Sequence, residues 1–247
     1  YSTTSGTADF IDINGENGLT YTASNLQQTT WFRVMNTGGV CSPAYSLAVQ
    51  VVVNQIPVAG YISGGDVNVC LTSNSTLLSL NNSLGTIQWQ KASTLTGTYA
   101  SITSANLPTY TAASLTATSY FKAIVSGGVC TSEMTNPVVI NVNPSSLAKT
   151  ITGASPVCKG GSKTLTYGTG SVGTIQWQYS TTSGTADFVD INSQNGLTYT
   201  DNNIQQTTWI RVMNTSGVCS PVYSVAVQVV VNQLPVAGYI TAVSYTH

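Results

Sequence analysis

An aromatic residue followed two positions later by a cation recurs three times in this chain. The pairs are Trp31 with Arg33, Tyr120 with Lys122, and Trp209 with Arg211. An exposed ring beside a cation could stack a sugar ring or a side chain of a partner. The same pair could instead form a cation–π contact within one strand and simply cover the sheet. We name these six residues the outward row and treat them as the candidate binding surface, with the intramolecular contact as the simpler interpretation.

Catalytic groups are scarce. The only histidine, His247, has no counterpart in the rest of the chain, so the sequence offers no repeated imidazole base for a nucleophile. Asp9 and Asp12 recur as Asp187 and Asp190, and paired carboxylates could serve a glycosidase. A solvated strand edge explains them more simply. We therefore expect no enzyme and no cofactor.

Metal ligands are equally sparse. The segment 12–18 is similar to a calcium loop, but its final glutamate is missing and Gln194 replaces Glu16 in the matching segment. The cysteines form no C-x₂-C pair of the kind that binds zinc. An Asn-Gly turn is the simpler interpretation of this segment, and we expect no metal site.

Composition excludes further classes of function. Charged residues make up 6% of the chain, against a usual share of about 25%. The 7 basic and 8 acidic residues lie singly, so no basic stripe exists for nucleic acid or for anionic lipid. No apolar run approaches the roughly 20 residues that span a bilayer. With 42% hydrophobic residues and 13 Tyr, the chain is expected to fold.

An internal repeat organises the chain. Residues 1–62 align without a gap to residues 179–240, with 51 of 62 positions identical. A more divergent unit lies between them, and the motif Gly-Thr-Ile-Gln-Trp-Gln places Trp89 and Trp177 88 positions apart. A period near 89 is the size of a small sandwich domain. We predict the C-terminal part of one repeat at 1–57, complete repeats at 58–145 and 146–235, and the start of a further repeat or a tail at 236–247.

Within the middle repeat, seven short strands and no helical period predict an all-β fold. The predicted strands are 58–63, 75–80, 86–91, 99–102, 108–112, 119–125 and 137–142. Alternation places Trp89 inward as a core residue. The other residues predicted to face inward are Phe32 and Val34; Phe121, Ala123 and Val125; Ile210 and Val212; and Val49, Val51 and Val53. The junctions between repeats are short and contain proline, which favours stiff linkers and an extended rod of tandem Ig-like antiparallel sandwiches.

Five cysteines occupy regular positions. Bridges within repeats would pair Cys70 with Cys130 and Cys158 with Cys219, leaving the partner of Cys41 outside the sequence. Bridges across junctions would pair Cys41 with Cys70 and Cys130 with Cys158, which also leaves one cysteine over. We favour the first pairing. Either one indicates an oxidising, extracellular setting.

The repeated segments resemble a known repeat type. Gly-Thr-Ile-Gln-Trp-Gln is followed by Leu-Thr-Tyr-Thr, Thr-Thr-Trp-Ile-Arg-Val, Gly-Val-Cys-Ser-Pro and Val-Gln-Val-Val-Val. This order resembles the Ig-like tandem repeats of very large cell-surface adhesins of Bacteroidota, including gliding-motility adhesins. The resemblance covers the whole chain and implies export to the cell surface and a role in adhesion or in a stalk. It supplies no binding residues.

The sequence therefore predicts a structural or adhesive segment of an extracellular adhesin or fibre, which projects a tip and makes multivalent contacts. Its expected partners are neighbouring repeats and a surface polysaccharide or another ligand on a cell or substratum, without nucleic acid and without a membrane span in this segment. Two alternatives stay open. One is a carbohydrate-binding module of a secreted enzyme, and the other is a filament subunit whose sheet edges pair laterally.

Overall fold

The computed structural model describes residues 1–241 and 244, so His247 lies outside the described residues. The described chain consists of 23 strands joined by turns and loops, without a helix. In this described part, accordingly, no helix is present that could cross a membrane. The all-β prediction is confirmed.

The first repeat is built from four short strands. They are β1 (Thr30–Phe32), β2 (Met35–Asn36), β3 (Ala44–Tyr45) and β4 (Val49–Val51), paired antiparallel as β1–β4 and β2–β3. The inward assignment of this repeat is wrong in part, since Val34 is 59% exposed and Val49 66% exposed. Residues 1–57 align with the third repeat from Tyr179 onward, so they contain no counterparts of the strands that precede Tyr179 in that repeat. Val34 and Val49 therefore have no second sheet to cover them.

The middle repeat contains nine strands. They are β5 (Tyr61–Ser63), β6 (Val67–Cys70), β7 (Ser75–Asn81), β8 (Thr86–Ala92), β9 (Ala100–Ser101), β10 (Thr109–Ala113), β11 (Ser119–Gly127), β12 (Cys130–Met134) and β13 (Val138–Asn143). One sheet has the order β10-β7-β5, and the other has the order β6-β13-β11-β8-β9 with β12 beside β11. All seven predicted strands are present, and β6 and β12 are additional. The added β6 pairs with β13 in parallel, whereas the pairs β5–β7, β8–β9, β8–β11 and β11–β12 are antiparallel.

The third repeat follows the same plan. Its strands are β14 (Ile151–Thr152), β15 (Val157–Cys158), β16 (Gly161–Tyr167), β17 (Thr174–Ser180), β18 (Val189–Asp190), β19 (Thr198–Ile204), β20 (Thr208–Thr215), β21 (Val222–Tyr223), β22 (Val227–Val229) and β23 (Val231–Asn232). The sheets are β14-β16-β19, β18-β17-β20-β21 with β22 on β20, and the parallel pair β15-β23.

Each complete repeat has a tryptophan at the centre of its core. Trp89 and Trp177 are fully buried, and each indole Nε1 donates to a backbone carbonyl, of Leu107 at 2.9 Å and of Gly196 at 2.8 Å. The ring of Trp177 lies 5.6 Å from that of Tyr199, measured between centroids. The inward prediction for the repeated motif is therefore confirmed. The predicted inward residues Phe121, Ala123, Val125, Ile210 and Val212 are buried as well.

Spatial proximity of Cα atoms divides the described chain into two compact units. One comprises Tyr1–Gly65, Leu77–Tyr110 and Tyr120–Val138, and the other comprises Asp66–Thr76, Thr111–Ser119 and the described residues from Val139 onward. Each contact discussed below lies within one of these units.

Candidate functional site

The cations of the outward row lie between two other side chains of their own repeat. In the first repeat, the guanidinium carbon of Arg33 is 3.9 Å from the ring centroid of Phe10 and 4.2 Å from that of Tyr45. In the third repeat, the corresponding distances from Arg211 are 4.0 Å to Phe188 and 4.0 Å to Tyr223. Both guanidinium groups are thus enclosed by rings from two directions, as in a cation–π sandwich.

The middle repeat uses the same positions with different residues. The ammonium of Lys122 lies 4.4 Å from the ring centroid of Tyr99, which corresponds to Phe188 one period later. On the other side it approaches the sulfur of Met134 at 3.4 Å, and Met134 corresponds to Tyr223. The sandwich is therefore a recurrent feature of the repeat, and its partners come from other segments of the repeat, whereas the simpler interpretation paired each cation with the aromatic residue two positions before it.

Polar contacts fix the third-repeat cation further. Arg211 Nε donates to Gln178 Oε1 at 2.7 Å, and Gln178 Nε2 donates to Asp190 Oδ1 at 2.7 Å. Register explains the first contact, because Gln178 and Arg211 are directly paired across β17 and β20. This chain of hydrogen bonds leaves the guanidinium little freedom to reach a ligand.

The tryptophans of the outward row are covered by a preceding loop. A methyl group built on Gly184 would lie 2.8 Å from Trp209 Cδ1, and one on Gly6 would lie 3.0 Å from Trp31 Cδ1. Both indoles are half-buried. The Cδ1 edge of each indole therefore lies against a loop of its own repeat. A binding role for the row remains a prediction.

Two of the carboxylates considered for a catalytic pair accept hydrogen bonds from threonines of their own loops. Thr4 donates to Asp9 Oδ2 at 3.0 Å, and Thr182 donates to Asp187 Oδ2 at 2.9 Å. Asp190 is the acceptor of the Gln178 contact described above. Across residues 1–241 and 244, no group of three or more His, Cys, Asp or Glu side chains gathers around a common point.

A cleft in the third repeat was not predicted from the sequence. It has a volume of about 230 Å³, and its lining includes Tyr179, Tyr199, Asp201, Asn203 and Gln205. Burial, followed by the charge and the hydrogen bond of Asp201, raises the pKa of Tyr199 to about 12. A sequence signal existed, because Asp201 replaces an alanine at the matching position of both other repeats.

The cysteines form one bridge, between Cys70 and Cys219, with a Cα–Cα distance of 5.0 Å and a sequence separation of 149. Both residues lie in the second compact unit. Among the described residues, Cys41, Cys130 and Cys158 are free. Neither predicted pairing is present, since this bridge joins the middle repeat to the third one.

The third repeat shows why a bridge within one repeat does not form. Cys158 lies opposite Asn232 at the start of the exit junction, whereas Cys219 Sγ contacts the carbonyl oxygens of Asn143 and Pro144 in the entry junction. Strand β20 runs between these two ends, and its eight residues extend over roughly 25 Å. Disulfide Cα atoms lie about 4.4–6.8 Å apart. Cys158 and Cys219 are therefore at opposite ends of one sandwich.

Two facing sheets around a buried tryptophan, repeated along the chain, define a tandem Ig-like β-sandwich protein. The chain belongs to the family described as "Domain of unknown function (DUF8696)", which matches residues 1–55, 58–144 and 147–233. No curated protein sequence matches it.

Solved structures show the same fold at low sequence identity. A marsupial T cell receptor has a TM-score of 0.50 and 14% identity, covering 72% of this chain and 74% of that one. Murine CEACAM1b has a TM-score of 0.45 and 16% identity, covering 72% of this chain and 99% of that one. Extracellular domains 3–5 of Drosophila OTK have a TM-score of 0.43 and 12% identity, covering 81% and 70%. At these identities the likeness concerns the fold alone.

Proposed function

We propose that this chain is a structural and adhesive segment of an extracellular cell-surface adhesin or fibre, and that it has no catalytic role. The observation that carries the proposal is the Cys70–Cys219 bridge, because it joins consecutive Ig-like repeats covalently. Disulfides persist in oxidising compartments, so the bridge supports an extracellular location. The resemblance of the repeats to those of large Bacteroidota adhesins supports the same assignment.

The bridge suits a segment that carries tension. Closing a loop of about 150 residues stabilises the fold by about 5 kcal/mol in the chain-entropy treatment. Under a pull on both ends, the covalent link carries the load past the junction and both sandwiches between the two cysteines. The length of the segment is then preserved even when one sandwich opens. A repeated spacer of this kind also presents many equivalent surfaces, whose weak contacts add through avidity.

Single-molecule stretching of the whole chain tests the proposal. With roughly 3.5 Å per extended residue, the bridge should withhold about 50 nm of contour length between Cys70 and Cys219. We expect the oxidised chain to extend about 50 nm less than the same chain in dithiothreitol. The double variant Cys70→Ser with Cys219→Ser should extend fully in both conditions. Equal extension of the oxidised and reduced parent chain would refute the role of the bridge in carrying tension.

One observation favours the carbohydrate-binding alternative, namely the cleft of the third repeat. Its rings and amides are the groups that sugars use for stacking and hydrogen bonding. A glycan array with the intact chain separates the two functions. Saturable binding lost in Tyr199→Ala, and kept in the double variant Trp31→Ala with Trp209→Ala, would support a module built on this cleft. The reverse pattern would support the outward row instead.

A further inference from the structure

The five cysteines are of two kinds, defined by their place in the repeat. Exit cysteines end the strand that pairs in parallel with the last strand of the same repeat. Cys70 lies opposite Asn143 in this way, and Cys158 lies opposite Asn232. The residue after each donates its N–H to the same asparagine carbonyl at 2.9 Å, from Leu71 to Asn143 and from Lys159 to Asn232. Both exit cysteines are thus held by one backbone arrangement.

Entry cysteines follow a glycine turn late in the sequence of a repeat, and they are Cys41, Cys130 and Cys219. Cys130 and Cys219 lie beside the junction through which the chain enters their repeat. The turn is repeated, because the N–H of Cys41 donates to the Gly38 carbonyl at 3.0 Å and that of Cys219 to the Ser216 carbonyl at 2.9 Å. In the third repeat, the entry cysteine is the one bonded to an exit cysteine of the repeat before it.

The free entry cysteine of the middle repeat is positioned as its bonded counterpart is. Cys130 Sγ lies 3.7 Å from the Asn54 carbonyl oxygen, and Cys219 Sγ lies 3.6 Å from the Asn143 carbonyl oxygen, one period later. The neighbouring glycines agree with this. A methyl group on Gly128 would lie 2.3 Å from the side chain of Asn54, and one on Gly217 would lie 2.5 Å from the side chain of Asn143. The junction geometry is therefore in place around Cys130 without a bridge.

We propose that every junction of the array is closed by a disulfide between the exit cysteine of one repeat and the entry cysteine of the next. The bonding partner of Cys158 is then the entry cysteine of a following repeat. Those of Cys130 and Cys41 are the exit cysteines of the repeats before theirs. One thiolate of the junction attacks a small disulfide oxidant, which forms a mixed disulfide and releases the first thiol of the oxidant. The second thiolate of the junction then attacks the mixed disulfide and releases the other thiol of the oxidant. The two thiols lose two electrons and two protons, and the oxidant leaves as two thiols.

A longer chain made from this sequence tests the proposal directly. Residues 236–240 are identical to residues 58–62, so residues 1–240 followed by residues 63–247 continue the repeat without a scar. Both the parent and the extended chain are refolded with oxidised and reduced glutathione, alkylated, digested without reduction and mapped by mass spectrometry. The parent should show one bridge and three alkylated cysteines, as its structure has.

In the extended chain we expect two more bridges, and again three alkylated cysteines. The new bridge links Cys158 to the copy of Cys130, and the other repeats the Cys70–Cys219 bridge within the copied segment. Changing Cys158→Ser should remove the first of these alone and expose the copy of Cys130 to alkylation. The Cys70–Cys219 peptide reports in each sample that the chain has folded.

Three outcomes would overturn the proposal. They are two equivalents of alkylated Cys158 peptide, instead of the single equivalent expected from its copy, in an extended chain that carries the Cys70–Cys219 bridge; bridges within repeats; and covalent dimers that consume the first Cys158. Absence of the Cys70–Cys219 bridge from the refolded parent would overturn it as well. The inference rests on the proposed function, and an absent Cys70–Cys219 bridge would refute both, whereas alkylation of both copies of Cys158 beside an intact Cys70–Cys219 bridge would refute the inference alone. The stretching result depends on Cys70 and Cys219 alone, whereas this mapping depends on Cys158.

Discussion

Truncating the core tryptophan of the third repeat should unfold that repeat selectively. Trp177 is fully buried, lies against the rings of Tyr167 and Tyr199, and donates to the Gly196 carbonyl. A buried aromatic side chain removes about 150–250 Å² from water, which at roughly 25 cal/mol per Å² amounts to about 4–6 kcal/mol. Truncations of this kind cost about 3–5 kcal/mol, since the surroundings collapse in part. We expect Trp177→Ala to lie in that range.

Hydrogen exchange during a urea titration locates the loss. Peptides from β16 and β20 should lose protection at lower urea in Trp177→Ala, while peptides from β8 and β11 keep the behaviour of the parent. Trp89→Ala should show the reverse pattern, so each variant is the control for the other. Trp209→Ala, which removes a half-buried indole, should cost clearly less than Trp177→Ala. Equal effects of Trp177→Ala and Trp209→Ala, or unchanged protection in β16 and β20, would refute the assignment of Trp177 to the core.

Three further predictions concern the cation sandwich, the cleft and the junction. Arg211→Ala should lower the free energy of unfolding by about 1–2 kcal/mol through the lost ring contacts and charged hydrogen bond, and an unchanged melting temperature would show that the sandwich is energetically idle. The pKa of Tyr199 is raised to about 12, so between pH 10 and 12 the unfolded chain releases a proton that the native chain keeps, and stability falls as pH rises. Tyr199→Phe should lessen that fall in thermal melts and leave the pH dependence of stability below pH 10 unchanged. Gly217→Ala should slow formation of the Cys70–Cys219 bridge in timed alkylation, because the added methyl group would meet the side chain of Asn143. Gly39→Ala is the control, since Gly39 has a φ of +56°, close to the +53° of Gly217, and open space around it. It introduces the backbone strain alone and should leave the rate of bridge formation unchanged.

Strand periodicity made most of the fold predictable. The alternation in the segment 86–91 placed Trp89 inward, and the structure buries it completely. Alternation failed for Val34 and Val49, whose pattern is that of inward-facing residues although both are largely exposed. Periodicity reports which face of a strand is apolar, but it does not report whether a second sheet is present to cover that face. In the third repeat, where both sheets are present, the counterpart Val212 is fully buried.

The disulfide pairing could not be predicted from the sequence, because it depends on strand β6, which the sequence pattern does not indicate. The sequence pattern predicts no strand at residues 67–70, and the pairing favoured from the sequence joins the two cysteines of each complete repeat. The structure forms β6 there and pairs it in parallel with β13, so Cys70 reaches the exit end of its repeat. Parallel pairing connects segments that are about 70 residues apart, and no local pattern encodes it. The position of Cys70 therefore depends on tertiary structure.

Several features of the candidate site are shared by all three repeats, whereas one carboxylate occurs only in the third repeat. The cation sandwich, the glycine turn and the entry cysteine occur in all three repeats, which suits a role that every repeat performs alike, such as bearing tension or adding weak contacts. Asp201 stands alone, because the first repeat has Ala23 and the middle repeat has Ala112 at that position. A carboxylate present once per three repeats contributes no avidity. A ligand that depends on it would bind this chain at one site, and its stoichiometry would distinguish a site in the cleft from a surface shared by the repeats.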